Sequence, residues 1–379
     1  MEMIHYQKDG IMADVKKKNS KKALGVLVND IHLDKDNGEL VKDIFRQLIS
    51  LCREYNTNRI FCGGDVFTNR SGQPLQCLTD WKEILVMLSE EDIELHVIPG
   101  NHDKTDSDDE KSYLDVYSEP CVHLYRNGVR RFIGGVVMAF IPYFKDDKWL
   151  EEYEKVWGQI EENFQDRDID ADTPLILITH SGFDGVVNND GSRVSSIIKP
   201  SMFESWTKVL IGHYHNASKL ADNVIYTGSA YQNNYGENIT DKGFTVIFNN
   251  GSTKFVPSKF PKYIKEVIDA NDKETLMNLL EKYEGEEYDH IRFVFTGKKV
   301  DCQKINIAEI QGKYGIDCKF EATETAEAIE ISESDSVLSY DKKTITKDFL
   351  KFCTDNDIKG NKFKYGFDLI KQMRYVEPK

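Results

Sequence analysis

The stretch RIFCGGD, residues 59–65, decides the fold: a short, mostly apolar run stops at two glycines and an aspartate. A run of this kind is typical of a buried strand that leads into a loop. On either side, apolar residues recur at helical spacing, over residues 40–55 and again over residues 81–89. This alternation of strands and helices predicts a layered α/β domain.

The same pattern recurs along the chain, because other predicted strands also lead into polar residues. These strands cover residues 23–28, 94–98, 175–179 and 209–211. Ligands of such sheets collect at the carboxyl ends of the strands, where loops emerge from a rigid frame. The motifs found there are Asp30-x-His32, Gly64-Asp65, Gly100-Asn101-His102-Asp103, His180 and Gly212-His213-x-His215.

Taken together, these motifs predict a site for two divalent metal ions. Such a pair, about 3.5–4 Å apart, needs a bridging carboxylate with imidazole, carboxylate or amide ligands on each side. Glycine before Asp65, Asn101 and His213 lets the backbone turn sharply and keeps an ion approachable. Oxygen ligands mixed with imidazole suit Mn²⁺, Fe²⁺ or Zn²⁺, and the absence of Cys from the set argues against a thiolate site.

Composition excludes several classes of protein. The 379 residues contain 49 Lys and Arg against 64 Asp and Glu, a net charge of −15, which argues against a generic electrostatic binder of nucleic acid. No stretch reaches the roughly 18 apolar residues of a membrane helix, and the seven Cys form no CxxC pair, so we expect no membrane partner and a cytoplasmic location. Contacts to DNA would therefore need local basic residues. The candidates, each of which can equally be a solvated surface residue, are Arg70, Arg130, Arg131 and Lys145.

The motif order D-x-H, G-D, G-N-H-[DE], H, G-H-x-H resembles that of the calcineurin-like metallophosphoesterase superfamily, over residues 24–248. The resemblance implies an α/β fold, a four-layer α-β-β-α metallophosphoesterase sandwich with a small α/β capping domain and a helical C-terminal segment. Residues 63–67 (GGDVF) and 228–237 (GSAYQNNYGE) are similar to segments of the SbcD-type DNA double-strand-break repair nucleases and their phage recombination counterparts. The departures are Ala230, where that branch usually has Pro, and residues 68–71.

The resemblance also assigns roles to single residues. His102 corresponds to the histidine that protonates or stabilises the leaving oxygen, and Asp103 would orient it, although Asp103 can equally be a loop-capping residue. The implied cofactors are two divalent ions, Mn²⁺ first, with Mg²⁺, Fe²⁺ or Zn²⁺ as alternatives. Asp65 would bridge them; Asp30, His32 and His215 would complete the first site, and Asn101, His180 and His213 the second.

The activity implied is that of a Mn²⁺-dependent DNA nuclease, an exonuclease with single-strand and hairpin endonuclease activity. It would hydrolyse phosphodiester bonds with a water that two metal ions activate. The implied partners are DNA, an SMC-like ABC ATPase of the SbcC type, and a second copy of the chain in a homodimer within a heterotetramer. It would serve DNA repair, recombination or replication in the cytoplasm, or in the host cytoplasm for a phage protein. The alternative is a metallophosphoesterase acting on phosphoproteins or nucleotides.

The chain is expected to have four parts. These are a polar N-terminal extension (1–21), the nuclease domain (22–258), a small α/β capping domain that binds DNA (259–330), and a C-terminal linker with a helical ATPase-binding segment (331–379). An apolar face of that last segment would dock on the ATPase, or would equally well pack on its own domain: Phe349, Phe352, Phe367, Ile370 and Met373.

Overall fold

The chain divides into two compact units, residues 1–322 and 323–379. The predicted N-terminal extension and most of the predicted ATPase-binding segment, with Phe367, Ile370 and Met373, lie outside the described residues. The computed structural model describes residues 21–165, 170–188, 191–237, 241–285, 289–322, 342–355 and 363.

Strands carry most of the larger unit. They are, in chain order, β1 Ala23–Val28, β2 Arg59–Cys62, β3 Glu94–Val97, β4 Val122–Leu124, β5 Val129–Ile133, β6 Val136–Ile141, β7 Leu175–His180, β8 Lys208–Gly212, β9 Ser218–Lys219, β10 Val224–Tyr226, β11 Gly243–Phe248, β12 Thr253–Pro257, β13 Tyr263–Asp269, β14 His290–Gly297 and β15 Asp317–Ala322.

Helices fill the connections between these strands. The α-helices are α1 Gly38–Glu54, α2 Leu75–Glu90, α3 Asp146–Gln165, α4 Lys273–Lys282, α5 Lys299–Cys302, α6 Ile307–Tyr314 and α7 Lys342–Asp355, and short 3₁₀ helices cover Tyr113–Val116 and Pro200–Phe203. Among the described residues, none of the helices combines the length and the apolar character that a bilayer crossing requires.

Two six-stranded sheets form the centre of the larger unit. The first has the order β12-β11-β1-β2-β3-β4 and the second β5-β6-β7-β8-β10-β9. Neighbours β1, β2 and β3 are parallel, and so are β6, β7 and β8, so each run ends at one edge of its sheet. The chain returns to the first sheet at β11, which pairs antiparallel with β1.

The helices and the two sheets form four layers, and an apolar core fills each of the three interfaces between them. Helix α1 turns Ile44, Phe45 and Leu48 toward the first sheet, where they meet Trp81 of α2. Helix α3 covers the second sheet in the same way with Trp149 and its neighbours. Side chains from both sheets, such as Phe61 and Phe140, form the third core between them. The predicted four-layer α/β sandwich is therefore confirmed.

A smaller three-stranded sheet of order β13-β14-β15 follows the sandwich, with all its strands parallel. Its own core joins Phe293 and Phe295 of β14 to Leu280 of α4 and Ile310 of α6. A small α/β unit after the sandwich is what the resemblance implies for a capping domain. The predicted domain boundaries at residues 258 and 330 stay predictions.

Helix α3 is the main element that the sequence analysis does not identify. Its buried residues Trp149, Tyr153, Val156 and Ile160 recur at helical spacing, and Asp146 and Asp147 lie in the first turn. Acidic residues there interact favourably with the helix dipole. The signal is therefore present, and α3 is required because without it the outer face of the second sheet would be exposed to water.

Candidate metal centre

Five loops bring polar side chains to one edge of the sandwich. Strands β1, β2 and β3 of the first sheet lead into the loops that carry Asp30, Asp65 and Asn101. In the second sheet, β7 ends at His180 and β8 leads directly into His213. The parallel order within each sheet places all these strand ends together, as the position of the motifs predicts.

The first cluster consists of Asp30, His32 and His215, whose ligand atoms all lie within 4.8 Å of one another. The Nε2 atoms of His32 and His215 are 2.9 Å apart. The carboxylate of Asp30 is fully buried and accepts the backbone N–H of His213, at 3.0 Å to Oδ1 and 3.2 Å to Oδ2. These are the residues that the sequence analysis assigns to the first ion.

The second cluster consists of Asp65, His180 and His213, again within 4.8 Å. Asn101 Oδ1 lies 2.7 Å from Nδ1 of His213 and 3.1 Å from Nε2 of His180, so the amide belongs to this group. Asp65 Oδ2 is 3.3 Å from His180 Nε2 and 3.7 Å from His32 Nε2. Asp65 therefore lies between the two clusters, where a bridging carboxylate would have to be.

The backbone at this site adopts an uncommon conformation. Asp30, His32, Asp65 and His213 have positive φ angles of 52°, 49°, 53° and 99°. Such values are unusual for residues with a side chain, cost free energy, and persist where the surrounding structure holds them. Four of the predicted ligands therefore have a backbone conformation that the surrounding fold must hold in place.

The glycines beside the ligands act in two different ways. Gly64 has a φ of 100°, which is the sharp turn that the sequence predicts. Gly100 and Gly212 instead allow close approach. A Cβ on Gly100 would lie 2.2 Å from Asp65 Oδ1, and one on Gly212 would lie 2.8 Å from the carbonyl oxygen of Gly63. At Gly100 and Gly212, glycine is therefore required because a side chain would clash with a neighbouring loop, not because the backbone turns.

The electrostatics of the cluster favour a positive charge beside Asp65. Burial acts to raise the pKa of Asp65, but His180 and the other imidazoles around it outweigh burial and hold that pKa well below its usual value. Burial also acts against protonated His180, yet the contact with Asp65 raises the pKa of His180 to about 9. Burial lowers the pKa of His32 and of His213 to about 3, so both are neutral, as ligands must be.

The donor set fits two divalent ions. Nδ1 of His180 donates to the carbonyl oxygen of Gly63 at 2.8 Å, so once Nε2 loses its proton, its lone pair would be available to an ion held together with Asp65 and Asn101. The nitrogens of His32 and His215 that face each other can both share their lone pairs with one cation. Each group therefore combines imidazole nitrogen with carboxylate or amide oxygen, the mixture that borderline divalent ions prefer.

Glu237 is a functional residue to which the sequence analysis assigns no role. Its buried carboxylate oxygen Oε1 lies 2.8 Å from Nδ1 of His215, and its Oε2 accepts the backbone N–H of Asn233. A carboxylate on the second nitrogen of a metal-binding histidine fixes the tautomer and increases the basicity of the ligand. The only sequence signal is its place at the end of residues 228–237.

His102 and Asp103 have separate environments. Nδ1 of His102 contacts the carbonyl oxygen of Thr68, while the backbone N–H of His102 donates to Asp65 Oδ1 at 2.8 Å. Asp103 accepts the backbone N–H groups of Gly100 at 2.8 Å and Phe67 at 3.0 Å. The carbonyl oxygen of Thr68 thus holds the imidazole, and the contacts of Asp103 are those of a loop-capping residue; the orienting role of Asp103 stays a prediction.

A cleft of about 580 Å³ opens onto the cluster. Both predicted groups of ligands contribute to its walls, together with His102 and Glu237. Of the basic residues proposed for substrate contacts, Arg70 lines this cleft. Lys145 instead pairs with Asp108 at 2.7 Å, and Arg131 lies over the ring of Tyr125.

This combination of fold and donor set is that of a metal-dependent phosphoester hydrolase. Residues 26–217, just over half of the 379 residues, match the family described as calcineurin-like phosphoesterase. The chain therefore belongs to the calcineurin-like phosphoesterase family. A search of the curated proteins finds no match to this chain.

Proposed function

We propose that this phosphoesterase is a Mn²⁺-dependent DNA nuclease that works with an SMC-like ABC ATPase of the SbcC type in repair, recombination or replication. The observation that carries the proposal is the segment of residues 228–237, whose sequence resembles the one that closes the nuclease core in SbcD-type enzymes. In this chain the segment connects the metal centre to the three-stranded sheet.

That connection rests on specific hydrogen bonds. At one end of the segment Glu237 contacts His215, as described above. In its middle, Gln232 Oε1 accepts the backbone N–H of Tyr263 at 3.0 Å, at the first residue of β13. A substrate that spans the cleft and the three-stranded sheet therefore contacts one continuous structure, which suits a polymer better than a small phosphoester.

A group of aromatic side chains that starts at Tyr235, next to the cleft-lining residue Asn234, supports a polynucleotide substrate. The rings of Tyr263 and His290 stack with centroids 4.4 Å apart, and Tyr235 meets Tyr263 edge to face at 5.0 Å. The guanidinium of Arg292 lies 3.8 Å from the centre of the Tyr235 ring. Aromatic and guanidinium groups of this kind stack on nucleobases without strict sequence preference.

The residues of the site divide the chemistry among them. Divalent ions held by the two clusters would supply a water nucleophile and would neutralise the charge that develops on the phosphoryl group. The positive φ angles of four of these ligands restrict the directions in which their side chains can point. His102, whose ring contacts the carbonyl oxygen of Thr68, would donate a proton to the leaving oxygen, and Arg70 would hold a non-bridging phosphate oxygen.

The acidic charge of the chain is compatible with this substrate. The net charge of −15 requires a local source of attraction for phosphate, and the cleft contains Arg70 along with sites for two divalent ions. Bound ions are often the largest charges in a site and can outweigh the carboxylates that hold them. The ATPase would add further DNA-binding surface.

The test is a panel of blunt, overhanging, hairpin and circular single-stranded DNA, incubated with the full-length protein and Mn²⁺, with and without the candidate ATPase. We expect cleavage of at least one DNA form, and faster cleavage with the ATPase and ATP. Efficient hydrolysis of phosphopeptides, nucleotides or small phosphodiesters, without cleavage of any DNA, would instead establish the alternative phosphoesterase function.

A matched pair of variants distinguishes DNA contact from general damage. Tyr235→Ala removes a base-stacking group worth about 1–3 kcal/mol and should weaken DNA cleavage at least fivefold while leaving hydrolysis of a small phosphodiester unchanged. Tyr55→Ala, at the end of α1, removes a comparable ring elsewhere in the fold and should change neither activity. Equal DNA cleavage by both variants would remove Tyr235 from the substrate path.

The proposed partners have candidate surfaces. In α7, Leu350 and Phe352 are 41% and 56% exposed, which suits docking of this helix on an ATPase. Phe352→Asp should therefore abolish co-purification with the ATPase, and unchanged co-purification would contradict this surface.

A second exposed apolar surface suits a homodimer. In α2, Leu75 is 75% and Val86 41% exposed. Leu75→Asp should therefore halve the mass measured by light scattering, and an unchanged mass would contradict this surface.

A further inference from the structure

A third group of metal-type ligands lies away from the metal centre. Glu94 and His96 begin β3, and His123 lies on the neighbouring edge strand β4 at the position paired with His96. The potential ligand atoms of these three residues all lie within 4.8 Å of one another. His96 is the third residue of the four-residue strand β3, five positions before Asn101, and none of the three residues lines the cleft at the metal centre.

His96 is the buried member of the group, and one of its ring nitrogens is unsatisfied. The residue is 6% exposed, and Nδ1 lies 2.8 Å from the hydroxyl of Tyr125. Nε2 is buried without a hydrogen-bond partner, 3.7 Å from Oε2 of Glu94. A buried polar atom left unpaired costs about 1–3 kcal/mol, so its retention needs a reason.

Protonation of Nε2, which would let it pair with Glu94, does not explain why the atom is retained. Burial, together with the adjacent His123, Arg59 and Arg131, lowers the pKa of His96 to about 3, so the ring is neutral at physiological pH. When Nδ1 donates its hydrogen to Tyr125, the lone pair of Nε2 points toward Glu94 and His123. This is the tautomer of a metal-binding histidine whose other nitrogen is held by a neighbouring group.

We propose that Glu94, His96 and His123 bind one Zn²⁺ ion that ties the edge strand β4 to β3. Two imidazoles and one carboxylate form a three-ligand zinc set, with a fourth position open to water. The imidazole rings of His96 and His123 are stacked with centroids 4.6 Å apart, and the exposed His123 can turn its ring to share the ion.

The surrounding charges set the strength of the site. Nε of Arg59 donates to Oε2 of Glu94 at 3.1 Å, which holds the carboxylate in place, as neighbours of a metal ligand commonly do. Arg131 is the other cation that acts on His96. Both arginines oppose a cation electrostatically, so this site is weaker than the metal centre and is structural in role.

The test compares zinc content after equilibrium dialysis of full-length protein against Zn²⁺. His123→Gln removes an exposed ligand and should bind one ion fewer than the wild type. His290→Gln removes another exposed histidine, on β14, and should match the wild type. Because only the difference matters, the result does not depend on how many ions the metal centre holds or on what the enzyme hydrolyses.

A second variant and a second measurement guard against indirect effects. Glu94→Gln should also lose one ion, and Zn²⁺ should raise the midpoint of thermal unfolding less in both variants than in the wild type, because binding to the native state alone stabilises it. Equal zinc content in the wild type and His123→Gln, or a loss of more than one ion, would overturn the proposal.

Discussion

Nδ1 of His215 and Oε1 of Glu237 are 2.8 Å apart, although the two residues are separated by 22 positions in the sequence. Burial acts against charge on both groups, but the contact raises the pKa of His215 and lowers that of Glu237. The pair fixes the hydrogen of His215 on Nδ1 and directs Nε2 at the cluster of Asp30 and His32.

Replacement of Glu237 should therefore weaken metal binding without removing a ligand. Glu237→Gln keeps the shape of the side chain but removes its charge, and loss of such a partner commonly costs 10- to 100-fold in metal affinity or activity. We expect the Mn²⁺ concentration for half-maximal activity to rise by about that factor. Glu54→Gln, on the exposed end of α1, is the control, and an unchanged Mn²⁺ dependence would show that the pair is only structural.

His102→Asn should separate metal binding from turnover. The imidazole lies in the wall of the cleft and is not a member of either ligand cluster, so its loss should leave the metal content intact. General acid catalysis contributes typically 10²- to 10⁴-fold, and turnover should fall by a factor in that range. The measurements are metal content by mass spectrometry and rates with a small phosphodiester. Normal turnover would remove His102 from the mechanism.

Gly100 and Gly72 make a matched pair of glycine substitutions. A Cβ at Gly100 would lie 2.2 Å from Oδ1 and 2.3 Å from the backbone nitrogen of Asp65, whereas a Cβ at Gly72 would have no heavy atom within 4 Å. Gly100→Ala should therefore displace the carboxylate of Asp65, lower the free energy of unfolding by about 1–3 kcal/mol and abolish most activity. Gly72→Ala should be neutral in urea unfolding and in activity. Similar results for both would refute the close-approach argument.

Asp103→Ala should destabilise the protein. The substitution leaves the buried N–H groups of Gly100 and Phe67 without their acceptor, and each unpaired group costs about 1–3 kcal/mol. Urea unfolding should show this loss, whereas Asp36→Ala at an exposed position should unfold like the wild type. A variant with full stability but low turnover would favour the alternative role, orientation of His102.

Much of the metal centre could be predicted because its residues follow strands directly. His180 is the last residue of β7, and His213 comes immediately after β8, so the parallel sheet order alone places them together. The positions of these side chains depend on the regular arrangement of parallel strands. The local sequence pattern of each strand is sufficient to predict that arrangement.

The contacts made through loops could not be read in the same way. Glu237 reaches His215 from a loop beyond β10, and the requirement for glycine at position 100 comes from Asp65 in another loop. For Asp103 the sequence allowed two roles, orientation of His102 or capping of a loop, and the choice depends on which groups lie within hydrogen-bond distance of its carboxylate. These features depend on how separate loops pack together, and no residue pattern specifies that packing.

The ligand clusters draw on both sheets, with Asp30, Asp65 and Asn101 from the first and His180 and His213 from the second. A folding intermediate with only one sheet in place would hold half a coordination shell and could not retain an ion tightly. Tight ion binding during refolding would therefore report the time at which the two sheets dock. A chelator added early should not slow the formation of either sheet, but it should prevent the stabilisation that the ions provide after docking.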